Sequence, residues 1–175
     1  HLVSWLHSQP FAHGDIKPDN IMVRSDGSMT LVDYDGMFVP AMKGQKSPTI
    51  GTKDFSHPLR NIEDFDETID DFALASMILS LYAMSKDLSL YDRYGSCGRL
   101  LFANSDYLSP KDSLLMANLL NSFNTAFTHS AFLLFVRSCV SMDYKEVLEK
   151  FYYVLRLWWG MEIPRYWEHC TDDFI

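Results

Sequence analysis

Apolar and polar positions change their period several times along this chain, and each change marks an element. Leu2, Val3 and Leu6 stand at helical spacing and read as the end of a helix whose start is missing. Met22-Val23 and the run from Met29 to Val32 are separated by Ser25-Asp26-Gly27-Ser28, the pattern of a short β-hairpin in which Gly27 can take positive φ. From Asp33 to Pro58 the composition turns to Gly, Pro, Lys and Ser, with Pro40, Gly44, Pro48 and Gly51 as breakers, which predicts a surface loop. Between Phe72 and Met84 only Ser76 and Ser80 are polar, so a helix here is apolar nearly all round and must be buried, as a central helix would be. Ser109-Pro110-Lys111-Asp112 offers a cap, a proline at the first helical position and an acid at the third, ahead of Leu114, Leu115, Leu119 and Leu120. Asp143 with Glu146 three residues on opens a last helix, with Val147, Leu148, Phe151, Leu155 and Trp158 on one side and Gly160 as its stop. The fold class is mainly α with a small β-hairpin. The aromatic cluster of Phe151, Tyr152, Tyr153, Trp158 and Trp159 reads as core packing rather than as a partner surface.

Composition narrows the function classes. The 175 residues are 47% hydrophobic and 22% charged, enough for one domain with a real core. A net charge of -8, from 15 Lys plus Arg against 23 Asp plus Glu, argues against a nucleic-acid partner. Cys97, Cys139 and Cys170 are far apart and show no C-x-x-C spacing, which fits free thiols in a reducing, cytoplasmic setting. His169 beside Cys170 reads as a tail pair, not a metal site. No secretory signal, repeat or bilayer-spanning apolar run is present, so no membrane partner is expected.

The chemistry concentrates in His13-Gly14-Asp15-Ile16-Lys17-Pro18-Asp19-Asn20 and in Leu31-Val32-Asp33-Tyr34-Asp35-Gly36. The hairpin between them carries Asp33 back beside Asn20. Phosphoryl transfer needs an oriented acceptor hydroxyl, a neutralised nucleotide and an in-line phosphoryl group. Asp15 can orient a hydroxyl and take its proton, and Lys17, from the same side of an extended loop, can set a cation against the moving phosphate. Asn20 and Asp33 offer hard oxygen ligands of the kind Mg²⁺ takes alongside phosphate and water. Turn chemistry alone accounts for Asp15, Asp19 and Asn20 as residue types, but not for their joint spacing.

The first string resembles the catalytic loop of eukaryotic-like Ser/Thr protein kinases, H-x-D-x-K-P-x-N, and Leu31-Val32-Asp33-Tyr34 resembles the strand end and start of their D-F-G motif. The resemblance implies a kinase-like C-terminal lobe, close to divergent bacterial relatives. It makes Asp15 the catalytic base, Lys17 the phosphate contact, Asn20 and Asp33 the metal ligands, and His13 a buried brace, with ATP and Mg²⁺ as cofactors. Neither a G-x-G-x-x-G strand and turn nor a strand lysine precedes the loop, and Gly95-Ser96-Cys97-Gly98 is too short to serve. The nucleotide lobe is therefore expected elsewhere in the same polypeptide, with little or no activity for these residues alone. The chain divides on this reading into catalytic loop and metal-binding hairpin (1–36), activation-type segment (37–58) and helical subdomain (59–175).

Gly51-Thr52-Lys53-Asp54-Phe55-Ser56-His57-Pro58 resembles the end of a kinase activation segment, which would bring Thr52 against Asp15 as a third catalytic residue. Asp70-Asp71-Phe72-Ala73 resembles a helix start whose first Asp holds the catalytic-loop backbone; a plain helix cap is the alternative. Three departures stand out. Leu59 replaces the Glu of the usual anchoring ion pair, Gly14 replaces the Arg that receives an activation-loop phosphate, and Asp35 with Gly36 displaces the D-F-G glycine. The expected activity is phosphate transfer to a protein hydroxyl. Two alternatives stay open: a small-molecule acceptor, as in aminoglycoside and choline kinases, and a pseudokinase-like binding module.

Overall fold

The computed structural model describes residues 2–160. It contains seven α-helices, α1 (Leu2–His7), α2 (Asp71–Lys86), α3 (Ser89–Tyr94), α4 (Asn104–Leu108), α5 (Leu114–Ser122), α6 (Ala126–Val140) and α7 (Tyr144–Trp159), three single-turn 3-10 helices and two strands, β1 (Ile21–Val23) and β2 (Met29–Leu31), among the described residues. The strands pair antiparallel with Ile21 opposite Leu31 and Val23 opposite Met29, and Gly27 turns the hairpin at φ 81°. The architecture is thus mainly helical with a two-stranded hairpin. No helix among the described residues is long and apolar enough to cross a membrane. His169 and Cys170 lie outside the described residues.

The apolar stretch forms α2, which is buried on every side from Asp71 to Met77, as its composition requires, while Leu81 in its second half is exposed. Around it stand α6, α7 and α4, and Phe72 packs against Phe135 at 5.3 Å and against the Tyr107 ring at 4.9 Å, edge to face. Of the polar side chains this brings inside, Ser76 Oγ pairs with Tyr107 OH at 2.7 Å and Tyr107 OH donates to the Asp54 carbonyl at 2.8 Å, whereas the buried Ser80 hydroxyl has no hydrogen-bond partner among the described residues. A second, smaller cluster of Ala12, Phe38, Phe65 and Ile69 lies under the start of the catalytic-type loop. There Ala12 and Phe38 exchange both backbone hydrogen bonds, at 3.0 and 2.8 Å.

One helix start differs from the sequence reading, and a second keeps its place without the expected cap bond. The helix after Pro110 begins at Leu114, and its cap is Ser113, whose hydroxyl accepts from Met116 N at 3.0 Å; residues 109–112 form a turn instead. The reason is local competition, since Ser113 has the better-placed oxygen and Asp106 holds its hydroxyl at 2.7 Å. Asp143 does precede α7, but its side chain makes no cap bond, and Glu146 pairs with Lys150 one turn on at 2.6 Å. The aromatic run also divides: Phe151 and Tyr152 are buried, Trp158 is half-buried against Tyr82, and Tyr153 and Trp159 are exposed. Their positions on an amphipathic helix decide this, because only the face shared with Val147, Leu148 and Leu155 meets the core.

Candidate functional site

The site is built where the loop after α1 is held from both sides. Asp70, just ahead of α2, is buried and does not cap its helix; its carboxylate accepts from His13 N at 2.5 Å and from Gly14 N at 2.8 Å. Burial pushes its pKa up, against the two amides that favour its charge. Asp71 faces away and pairs with His7 Nε2 at 3.1 Å. His13 is fully buried, and its partners assign the tautomer: Nε2–H donates to the Val32 carbonyl at 2.9 Å, while Nδ1 accepts from Asp15 N at 3.4 Å. One imidazole therefore ties the catalytic-type loop to the end of the hairpin.

Asp15, Lys17 and Thr52 come together. Lys17 Nζ lies 2.7 Å from Asp15 Oδ2 and 3.1 Å from Thr52 Oγ1. Thr52 donates to Asp15 Oδ1 twice, from its amide at 2.8 Å and from its hydroxyl at 2.9 Å. Partial burial works against the Asp15 charge, but the hydrogen bonds from Lys17 and Thr52 outweigh it and hold the carboxyl below its usual range. The carboxylate is thus ionised, oriented on both oxygens, and still partly open to an incoming hydroxyl.

Asn20 sits behind Asp15, donating from Nδ2 to the Asp15 carbonyl at 2.8 Å and receiving the Val32 amide on its own carbonyl at 3.0 Å. Asp33 follows β2 as the one described non-glycine residue with positive φ, 66°, a conformation Asp tolerates better than most side chains. Its side chain is exposed, and no described residue donates to it or to Asn20 Oδ1. A neutral amide oxygen and an unspent carboxylate, two residues' worth of hard ligands, fit Mg²⁺, which draws the rest of its shell from phosphate and water. No group of three or more His, Cys, Asp or Glu side chains able to hold a metal occurs among the described residues.

Two residues of the site carried no local signal. His57 anchors the segment in place of the ion pair that Leu59 precludes: Nε2–H donates to the Ser138 carbonyl at 2.8 Å, Nδ1 accepts from Leu59 N at 3.1 Å, and the ring stacks on Tyr144 at 3.7 Å. Burial lowers its pKa to about 4, so it is neutral. Arg60 reaches under the loop to the Gly14 carbonyl; the hint in the sequence was the missing Arg at position 14.

No family model matches the chain, and no solved structure matches it. Several curated protein kinases do, each over part of the chain. Serine/threonine-protein kinase WNG1 of Toxoplasma gondii is 36% identical over 77 residues, 43% of this chain and 12% of the relative. Sperm motility kinase 2B of Mus musculus is 40% identical over 57 residues, 32% of this chain and 12% of the relative. An Aurora kinase of Saccharomyces cerevisiae is 26% identical over 80 residues, 45% of this chain and 22% of the relative. The chain therefore spans about an eighth to a fifth of the length of these relatives. At the level of family, the similarity supports a Ser/Thr kinase-like phosphotransferase.

Proposed function

We propose that the chain belongs to the catalytic region of an ATP- and Mg²⁺-dependent protein kinase that transfers the γ-phosphate to a protein hydroxyl. The observation that carries this is the Asp15 carboxylate, held on both oxygens by Lys17 and Thr52, with Asn20 donating to the Asp15 carbonyl behind it. Asn20 and Asp33 would hold Mg²⁺, which when bound would neutralise the nucleotide phosphates. Asp15 orients the acceptor hydroxyl and takes its proton as that oxygen bonds to the γ-phosphorus and the bridging oxygen departs with the diphosphate. Its lowered pKa makes it a weak base, so orientation is its larger share and proton uptake comes late, as a loose transition state allows. Lys17 places its charge between this carboxylate and the transferred group. The Gly-rich turn and strand lysine that complete such a site belong, on this reading, to another part of the same polypeptide.

Gly14 favours a small-molecule acceptor, since it leaves no Arg before Asp15; the double contact of Thr52 with Asp15 supports the protein acceptor instead. A pure binding module has less support, because Asp15, Lys17, Asn20 and Asp33, all four catalytic-type side chains, are present. The test is Asp15→Asn in the full-length protein, assayed for transfer from ATP to hydroxyl-bearing peptides and to aminoglycosides. Loss of at least about 100-fold in kcat is expected, with peptides as the better acceptor. Undiminished turnover in Asp15→Asn overturns the reading.

A further inference from the structure

Three glycines from three segments meet beneath Asp15. Gly14 has φ 86°, and a Cβ on it would stand 2.0 Å from the Gly36 carbonyl oxygen. A Cβ on Gly36 would stand 3.0 Å from Thr49 Cγ2, and one on Gly51 would lie 3.2 Å from the Gly14 carbonyl and 3.4 Å from both Arg60 Nη1 and Asp15 Oδ1. The catalytic-type loop, the metal-type turn and the 47–52 segment therefore pack backbone to backbone, and no side chain can issue from position 14.

The cation absent there arrives from elsewhere. Arg60 Nη1 donates to the Gly14 carbonyl at 3.3 Å, and Nη2 makes a longer contact, 3.5 Å, with the Thr49 carbonyl. Thr49 O is also held by the buried Ser47 hydroxyl at 2.5 Å, Ser47 N donates to Ile62 O at 2.8 Å, and Ser56 Oγ holds Ile50 O at 2.8 Å. Arg60 Nε is buried without a hydrogen-bond partner. Burial lowers the Arg60 pKa, and the Asp70, Asp64 and Asp15 carboxylates oppose that. A guanidinium kept among these carboxylates, bridging two segments by their carbonyls, is a strap.

We propose that Arg60 is a positioning residue that locks the 47–52 segment onto the Asp15 loop, taking over from a phosphate-bound arginine, so that the site is assembled without phosphorylation. This rests on the kinase reading for its catalytic consequence, while the strap itself is independent of it. The buried, hydrogen-bonded Ser47 hydroxyl agrees, since it is not accessible to a modifying enzyme.

The experiment uses the full-length protein with Arg60→Met, which keeps the apolar stem, and Arg60→Lys, a point charge able to reach one carbonyl only. In Arg60→Met, amide exchange over 47–52 should quicken at least about tenfold while α6 and α7 stay unchanged, and kcat should fall about 10- to 100-fold with the nucleotide KM within roughly twofold. Arg60→Lys should recover part of both and, should Arg60→Met not fold, must still quicken exchange over 47–52. Unchanged exchange in either variant overturns the strap. Phosphatase treatment of the wild type should leave kcat within roughly twofold; a loss of tenfold or more, restored by rephosphorylation within 47–52, overturns the claim of phosphate-free assembly. A wild type without phosphotransfer sinks the kinase reading alone, because exchange still decides the strap.

Discussion

Single residues decide whether this site can exist, and the glycines show it most cleanly. Gly14 and Gly27 both have positive φ, 86° and 81°, but only Gly14 has backbone where a side chain would go. Gly27→Ala should cost about 1 kcal/mol, the ordinary penalty for a left-handed alanine, since nothing lies within 4 Å of its added carbon. Gly14→Ala adds a collision with the Gly36 carbonyl that neither chain segment can relieve cheaply, so it should cost at least about 3 kcal/mol. Urea unfolding of the two variants reads the difference directly, and equal costs would mean that the three-glycine contact is loose in solution. Asp70 makes the same point from the polar side. The alternative of a helix cap was open in the sequence because an acid ahead of an apolar run suits either role; only the position of the His13 and Gly14 amides, more than fifty residues away, settles it.

At the scale of elements, legibility followed the range of the interactions. The hairpin, α2 and α7 could be read because period, turn residue and stop residue are local properties. The contacts of Asp15 with Lys17 and Asn20 were within reach of the sequence because all three lie in one loop. The start of α5 was displaced by a single competing serine, and the role of His57 was invisible because its partners, Ser138 and Tyr144, belong to elements far along the chain. That anchor carries a pH consequence. Burial lowers the His57 pKa from 6.5 to about 4, so between those values the unfolded chain binds the extra proton. Stability contributed by the neutral anchor is complete above about pH 6.5, falls as pH drops toward 4, and by then has lost up to about 3 kcal/mol. His57→Gln should be less stable at pH 7 yet show a flatter profile from 6.5 to 4. A slope identical to the wild type would place the proton uptake on another group.

One path from the core to the site runs through Phe135, beside the direct hold of Asp70 on the His13 and Gly14 amides. Phe135 is fully buried on α6 and touches Phe72 on α2, Phe102 and the Tyr107 ring, while the Tyr107 hydroxyl holds the Asp54 carbonyl within the segment that ends at His57. Three residues after Phe135, the Ser138 carbonyl receives the His57 ring. A loss of packing at Phe135 must therefore reach Thr52 and Asp15 as well as the helices. The hairpin is different: two short strands with Met22 and Val23 exposed bury little, and an isolated two-stranded ribbon is marginal in water. Phe135→Ala should lower global stability by about 3–5 kcal/mol. Native-state hydrogen exchange should then show the amides of α2 and Thr52 losing protection by the same amount, with β1 and β2 changing less because they already open locally. Were Thr52 to keep its protection while α2 lost its own, the segment would be a separate cooperative unit, and the catalytic-type loop would owe its position to Asp70 and the glycine contact alone.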